Sequence, residues 1–116
     1  MTVCDVYKAI HEDYAEVFSR IDNDEWIGKY LKKFVTAGYM EELENSIRDQ
    51  DWARVFRNAH SMKGMTMNLG LGELQTVSSE LCELVRYGAP SHNVTDLTER
   101  IRTEFDKVRE AVLKLD

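Results

Sequence analysis

Apolar residues recur at three- and four-residue spacings along almost the whole chain, and this period most constrains what the chain can fold into. Such spacing places apolar side chains on one face of an α-helix. One proline, Pro90, and only six glycines interrupt the pattern, so long helices are possible. No segment shows the alternation typical of a half-buried strand. The sequence therefore predicts an all-α protein.

Short polar or glycine-containing stretches separate the periodic segments. The first segment runs from Val3 to Ile21 without a clear break. The second carries one predicted core stripe, formed by Trp26, Tyr30, Leu31 and Phe34. Later breaks are predicted at residues 36–38, 48–51, 70–72 and 87–93. Because short connections favour antiparallel neighbours, we expect an antiparallel up-and-down four-helix bundle with one or two additional N-terminal helices.

The length and net charge of the chain indicate how many domains it forms and which partners it does not bind. A chain of 116 residues can bury one core, so we expect a single domain over residues 1–116. A net charge of −6 without a basic stripe argues against nucleic-acid binding. No apolar run approaches the roughly 20 residues needed to cross a bilayer, and the N-terminus lacks the features of a signal peptide. We therefore expect a cytoplasmic protein, and a monomer, since one bundle can bury all the stripes.

The two cysteines exclude two further classes of protein. Cys4 and Cys82 lie far apart and form no CxxC pair. Neither a disulfide framework nor a zinc site is therefore supported.

The stretch AHSMKGMTMNLG, residues 59–70, places a histidine, a lysine and a glycine inside a helix with a regular core stripe. The stripe consists of Trp52, Val55, Ala59, Met62, Thr66 and Leu69. His60 lies about 100° round the helix from Ala59, on the flank of that stripe. Its face is shared by Phe56, Arg57, Lys63, Gly64 and Met67. We predict that this face is at least partly exposed.

The residue types on this face suit an anion. A histidine nitrogen is a nucleophile near neutral pH, and the cations Arg57 and Lys63 favour an anion held on its ring. Glycine costs a helix interior about 1 kcal/mol relative to alanine, but Gly64 leaves space for a partner one turn from the ring. Phosphoryl transfer needs mainly positioning and charge stabilisation. An ordinary surface histidine is the alternative, and the spacing alone does not decide between them.

The same stretch also carries a family resemblance. AHSMKGMTMNLGLGEL resembles the signature of the histidine phosphotransfer (HPt) domains of multi-step two-component phosphorelays. The matching positions are Ala59, His60, Met62, Lys63, Gly64, Leu69 and Gly70. DNDEWIGKYLKKF and LENSIRDQDWARVFRNAH are similar to earlier parts of the same domains, so the resemblance covers about residues 20–115.

The resemblance implies a phosphoryl carrier without a kinase domain of its own, rather than an enzyme. His60 would accept a phosphoryl group from a receiver-domain aspartate of a response regulator or hybrid histidine kinase and pass it to another receiver. Lys63 would stabilise the phosphohistidine, and Gly64 would allow the receiver to dock. The receiver would bring Mg²⁺, so we expect no metal site and no cofactor in this chain.

The chain departs from the family pattern at two places. The two positions after the motif glycine are usually small, but here they are Met65, which lies off the histidine face, and Thr66, which faces the core. Where the family often has a carboxylate or amide near the ring, this chain has Cys82, a weak donor at best. Gln75, Ser79 or water would then hold the ring. Cys82 would be either a redox gate on transfer or a small buried hydrophobe.

We predict an apolar docking surface around the histidine, rimmed by cations. Its candidate residues are Phe56, Arg57, Met67, Gln75, Ser79, Cys82 and Arg86. The alternative function is a non-catalytic helical adaptor that binds a receiver or histidine kinase without carrying phosphate. Such an adaptor would not need an intact His60.

Overall fold

Seven helices and no strand make up the structure, a computed structural model that describes all of residues 1–116. The helices are α1 (Val3–Ala9), α2 (Tyr14–Arg20), α3 (Asp24–Thr36), α4 (Tyr39–Arg48), α5 (Trp52–Asn68), α6 (Gly72–Leu84) and α7 (Thr95–Val112). The predicted all-α class is confirmed. None of the helices combines the length and the apolarity needed to span a membrane.

The longer helices contact one another in a cycle around the core. Helix α5 packs against α4 on one side and, most extensively, against α6 on the other. Helix α6 then contacts α7, and α7 packs against α3 and α4. All seven helices contribute buried apolar side chains to a single cluster, so the chain forms one packed unit.

The first periodic segment is two helices, and the prediction of one unbroken segment is wrong. Helix α1 ends at Ala9 and α2 begins at Tyr14. Between them His11 has a φ of 59°, in the left-handed region that commonly ends a helix. The Asp13 side chain then caps α2 by accepting a hydrogen bond from the N–H of Glu16. The apolar spacing continues across this break because both short helices bury residues in the same core.

Helix α3 faces the core with a different stripe from the one predicted. Ile27, Leu31 and Phe34 are buried, whereas Trp26 and Tyr30 are 49% and 45% exposed. The placement of Trp26 and Tyr30 in the core is therefore wrong. Their rings lie with centroids 5.9 Å apart on the outer face of the helix, because Ile27 takes the buried position next to Trp26.

Helix α5 ends in a Schellman motif. Gly70 has a φ of 65°, the N–H of Leu71 donates to the Thr66 carbonyl at 2.9 Å, and the N–H of Gly70 donates to the Met67 carbonyl at 3.2 Å. A Cβ at Gly70 would also lie 3.4 Å from the Cβ of Val17. The backbone conformation and the close approach of α2 both favour glycine here, which explains the break predicted at residues 70–72.

The two N-terminal helices are tied to this end of α5. The buried hydroxyl of Tyr7 donates to the carbonyl oxygen of Leu69 at 2.5 Å. The Arg20 guanidinium donates to the carbonyl oxygen of Met67. Burial raises the pKa of Tyr7, so its hydroxyl stays protonated and available as a donor.

The connection between α1 and α2 also caps α6. Leu71, which precedes α6, supplies no side-chain cap. The Glu12 carboxylate instead accepts a hydrogen bond from the N–H of Glu73 at 3.1 Å. A carboxylate is favourable at a helix N-terminus because the free N–H groups there carry partial positive charge. The N-terminal residues thus fix the start of α6 as well as the end of α5.

We expect Tyr7→Phe to lower the free energy of unfolding by about 1–3 kcal/mol, because it removes the donor from a buried carbonyl. The measurement is the midpoint of urea denaturation. Tyr87→Phe is the matched control: Tyr87 is 97% exposed, so its change should stay within about 0.5 kcal/mol. Equal midpoints for Tyr7→Phe and the parent protein would contradict the assigned hydrogen bond.

Candidate functional site

His60 lies on the outward face of α5. Ala59 is 0% and Met62 1% exposed, whereas His60 is exposed. The buried Thr66 hydroxyl donates to the carbonyl of Met62 at 2.8 Å, so this polar side chain is satisfied within the core. The predicted division of α5 into a core stripe and an exposed histidine face is confirmed, although Trp52, at the start of the stripe, is only half-buried.

The His60 imidazole stacks on the ring of Phe56, one turn earlier on α5. The ring centroids lie 6.0 Å apart, and the ring planes differ by 17°. Phe56 is half-buried. The guanidinium carbon of Arg86, two residues beyond the end of α6, lies 5.6 Å from the centroid of the same ring, within the range of a cation–π contact. Phe56 therefore links the histidine to both helices.

No side chain of the protein hydrogen-bonds the His60 ring. Gln75 and Ser79, which the sequence suggested as ring partners, line a shallow groove on the outer face of α6. Cys82 is buried. The aromatic contact with Phe56 is what restrains the ring within the chain.

Lys63 is the side chain best placed to offer its charge to an anion at this site. It lies on the His60 face, is half-buried and forms no ion pair. Arg86 is partly neutralised, since its Nε donates to a carboxylate oxygen of Glu83 at 3.2 Å. That hydrogen bond holds the pKa of Glu83 below its usual range. Arg57 is exposed on the other edge of the face and is also free of ion pairs.

Cys82 is enclosed between these cations and the core, with only 1% of its surface exposed. Burial raises the pKa of its thiol, and the positive charges of Lys63 and Arg86 oppose that shift only in part. A protonated, enclosed thiol reacts slowly. The structure therefore favours the interpretation of Cys82 as a small buried hydrophobe.

Gly64 leaves open space beside the histidine. A Cβ at this position would meet no other atom within 4 Å. Packing therefore does not require glycine here. Because glycine has no side chain, the helix surface one turn beyond His60 stays open to a partner. Met67 extends the same face with 45% of its surface exposed. Met65 points away from this face and lines a cavity on the other flank of α5.

The arrangement combines an accessible imidazole, two cations without ion pairs, Lys63 and Arg57, and a gap that a partner could enter. Groups of three or more His, Cys, Asp or Glu side chains able to hold a metal ion do not occur in the structure. The chemistry that this face offers is nucleophilic attack by the ring on an electrophile carried by a partner. Lys63, three residues further along the same helix face, supplies a positive charge for added negative charge.

The family model described as Hpt domain matches residues 36–111, about two thirds of the chain. No curated protein and no solved structure matches the chain. The matched range includes His60 and every other predicted site residue, while α1, α2 and nearly all of α3 precede it. The chain belongs to the Hpt domain family, whose domains are phosphocarrier modules of phosphorelays without kinase activity.

The residues that line the cavity beside Met65 were not identified from the sequence. Arg20, Tyr30, Lys33 and Asn68 meet there from α2, α3 and α5. Tyr30 follows Trp26 by four residues, and Lys33 follows Tyr30 by three. This second stripe on α3 is the signal that could have revealed an exposed aromatic and basic face.

We expect Gly64→Ala to raise the free energy of unfolding by about 0.5–1 kcal/mol, because alanine is the better helix former and nothing surrounds the added methyl group. Gly38→Ala is the matched control. Its surroundings are equally empty, but its φ is 84°, so the same change should destabilise the protein by about 1 kcal/mol. Chemical denaturation measures both, and destabilisation by Gly64→Ala would show that glycine is needed for the fold.

Proposed function

We propose that this protein is a phosphoprotein that relays a phosphoryl group between receiver-domain aspartates, with the phosphohistidine at His60. The single observation that carries the proposal is the exposed imidazole with Lys63 and the empty space of Gly64 beside it, in a chain of the Hpt domain family. We also propose the finer architecture, an antiparallel up-and-down four-helix bundle of α4 to α7. Three helices, α1, α2 and α3, precede it, so the expected number of one or two additional helices is wrong.

The transfer is a displacement at phosphorus. A nitrogen lone pair of His60 attacks the phosphorus of an aspartyl phosphate; the N–P bond forms as the acyl O–P bond breaks, and the aspartate carboxylate leaves with the electron pair. The reverse displacement delivers the group to an aspartate of a second receiver. The ammonium group of Lys63 stabilises the charge on the phosphoryl oxygens in both directions. The Mg²⁺ that assists phosphoryl transfer would belong to the receiver and not to this chain.

The receiver would dock on the face around His60. Phe56 and Met67 offer apolar contact, while Arg57 and Arg86 form a cationic rim. Gln75 and Ser79 would extend the same surface along α6, whereas Cys82, which is buried, would lie beneath it without touching the receiver. Central apolar contacts of this kind commonly supply most of the binding energy. We further propose that the protein acts as a cytoplasmic monomer on response-regulator receivers or hybrid histidine kinases.

Incubation with a phosphorylated receiver should label the protein with an acid-labile, base-stable phosphate, and His60→Gln should abolish that label. His92→Gln is the matched control, since His92 is also exposed but lies in the loop before α7, and it should retain full labelling. Full labelling of His60→Gln would contradict the assignment. Receiver binding that survives this substitution, with no phosphate ever found on the parent protein, would favour the adaptor instead.

We expect Lys63→Ala to slow phosphoryl transfer by about tenfold to a hundredfold, because the loss of one charged contact costs roughly 1.5–3 kcal/mol. Lys32→Ala serves as the control, since Lys32 is exposed on α3 and forms no ion pair. Rapid-quench measurement of transfer from a labelled receiver tests both. Equal rates for Lys63→Ala and the parent protein, with unchanged thermal midpoints, would exclude Lys63 from charge stabilisation.

A further inference from the structure

A cavity of about 520 Å³ lies where α2, α3, α4 and α5 meet, on the flank of α5 away from α6. Its volume is within the range of sites that bind small molecules. Nine residues line it, and none of them belongs to the face around His60. The cavity therefore stands apart from the proposed phosphotransfer site.

The floor of the cavity is apolar and partly aromatic. Phe34 and Leu69 are 2% and 4% exposed, and Ile21 and Met65 beside them are half-buried. The rings of Phe34 and Tyr39 are stacked, with centroids 6.2 Å apart and planes inclined by 26°. Because Phe34 and Leu69 are already covered, the apolar surface open to a ligand comes from the half-buried side chains of Ile21, Tyr39 and Met65.

The charges at the cavity are of one sign. The lining includes Arg20 and Lys33 but no carboxylate, in a chain with 21 acidic and 15 basic side chains. Arg20 is partly neutralised by Glu16 and also donates to the Met67 carbonyl. Lys33 has no ion-pair partner in the chain, so it is the charge available to a ligand. One available lysine can pair with one negative charge, and the apolar floor disfavours a ligand with further charges, because each would lose water without gaining a partner.

Three neutral polar groups complete the lining. The hydroxyls of Tyr30 and Tyr39 and the amide of Asn68 make no hydrogen bond to the rest of the chain. They could therefore donate to a ligand without breaking an internal hydrogen bond. We propose that this cavity binds a small aromatic monocarboxylate, with its ring against Tyr39 and Met65 and its carboxylate at Lys33.

The proposal is tested with 1-naphthoate and its neutral isostere 1-naphthamide, each titrated into the ¹⁵N-labelled full chain. Naphthoate should shift the backbone amides of Met65, Asn68 and Leu69 with a dissociation constant on the order of 1 mM. Naphthamide should bind about three- to tenfold more weakly, because it cannot pair with the lysine. Equal affinities, shifts confined to the His60 face, or no binding of naphthoate would each overturn the proposal.

Two neighbouring lysines provide the matched variants. Lys33→Gln should weaken naphthoate by about three- to tenfold and leave naphthamide unchanged. Lys32→Gln, one residue earlier and outside the cavity, should change neither. Insensitivity of naphthoate to Lys33→Gln would overturn the assignment of the carboxylate. If a receiver domain protects the amides of Met65 and Asn68 from hydrogen exchange and naphthoate does not bind, the proposal is overturned and the cavity is a docking site for a protein partner.

Discussion

The packing of α5 against α6 is the contact on which the rest of the structure depends. It buries the stripe that includes Ala59 and Met62, and at its edge it brings Arg86, just beyond the end of α6, to the ring that stacks on His60. The connection between the two helices is short because a Schellman motif at Gly70 turns the chain at once. Hydrogen bonds from the N-terminal residues hold both sides of this turn. The packing of α5 against α6 therefore positions the core stripe and the histidine face together.

Helix content and the division of α5 into two faces could be predicted because a period of 3.6 residues assigns each position to a side of the helix. The same period could not separate α1 from α2, since it records apolar positions and not the left-handed backbone at His11. It also misplaced Trp26 and Tyr30. Helix α3 has more apolar residues than its buried face can hold, so packing against the other helices, and not the pattern, determined that Ile27 is buried.

The way in which the His60 ring is restrained also depended on tertiary structure. The sequence placed Phe56 on the histidine face, but whether two residues four apart stack depends on their rotamers and on the neighbouring helix. A hydrogen bond from a neighbouring side chain would fix the tautomer of the imidazole. Stacking on Phe56 restrains the plane of the ring and leaves both nitrogens free. Cys82, buried and protonated, is therefore compatible with a reactive histidine without acting on it directly.

Helix α5 presents two different surfaces on its two flanks, and different parts of the chain supply them. The histidine face is built from α5 and α6, within the residues that match the family model. The cavity needs Arg20, Tyr30 and Lys33, which all precede residue 36, where that match begins. The histidine face therefore lies within the residues that match the family model, whereas the cavity depends on how the N-terminal helices of this chain pack. Because both surfaces rest on the same rigid helix, a ligand in the cavity would contact the element that carries His60 without covering the ring.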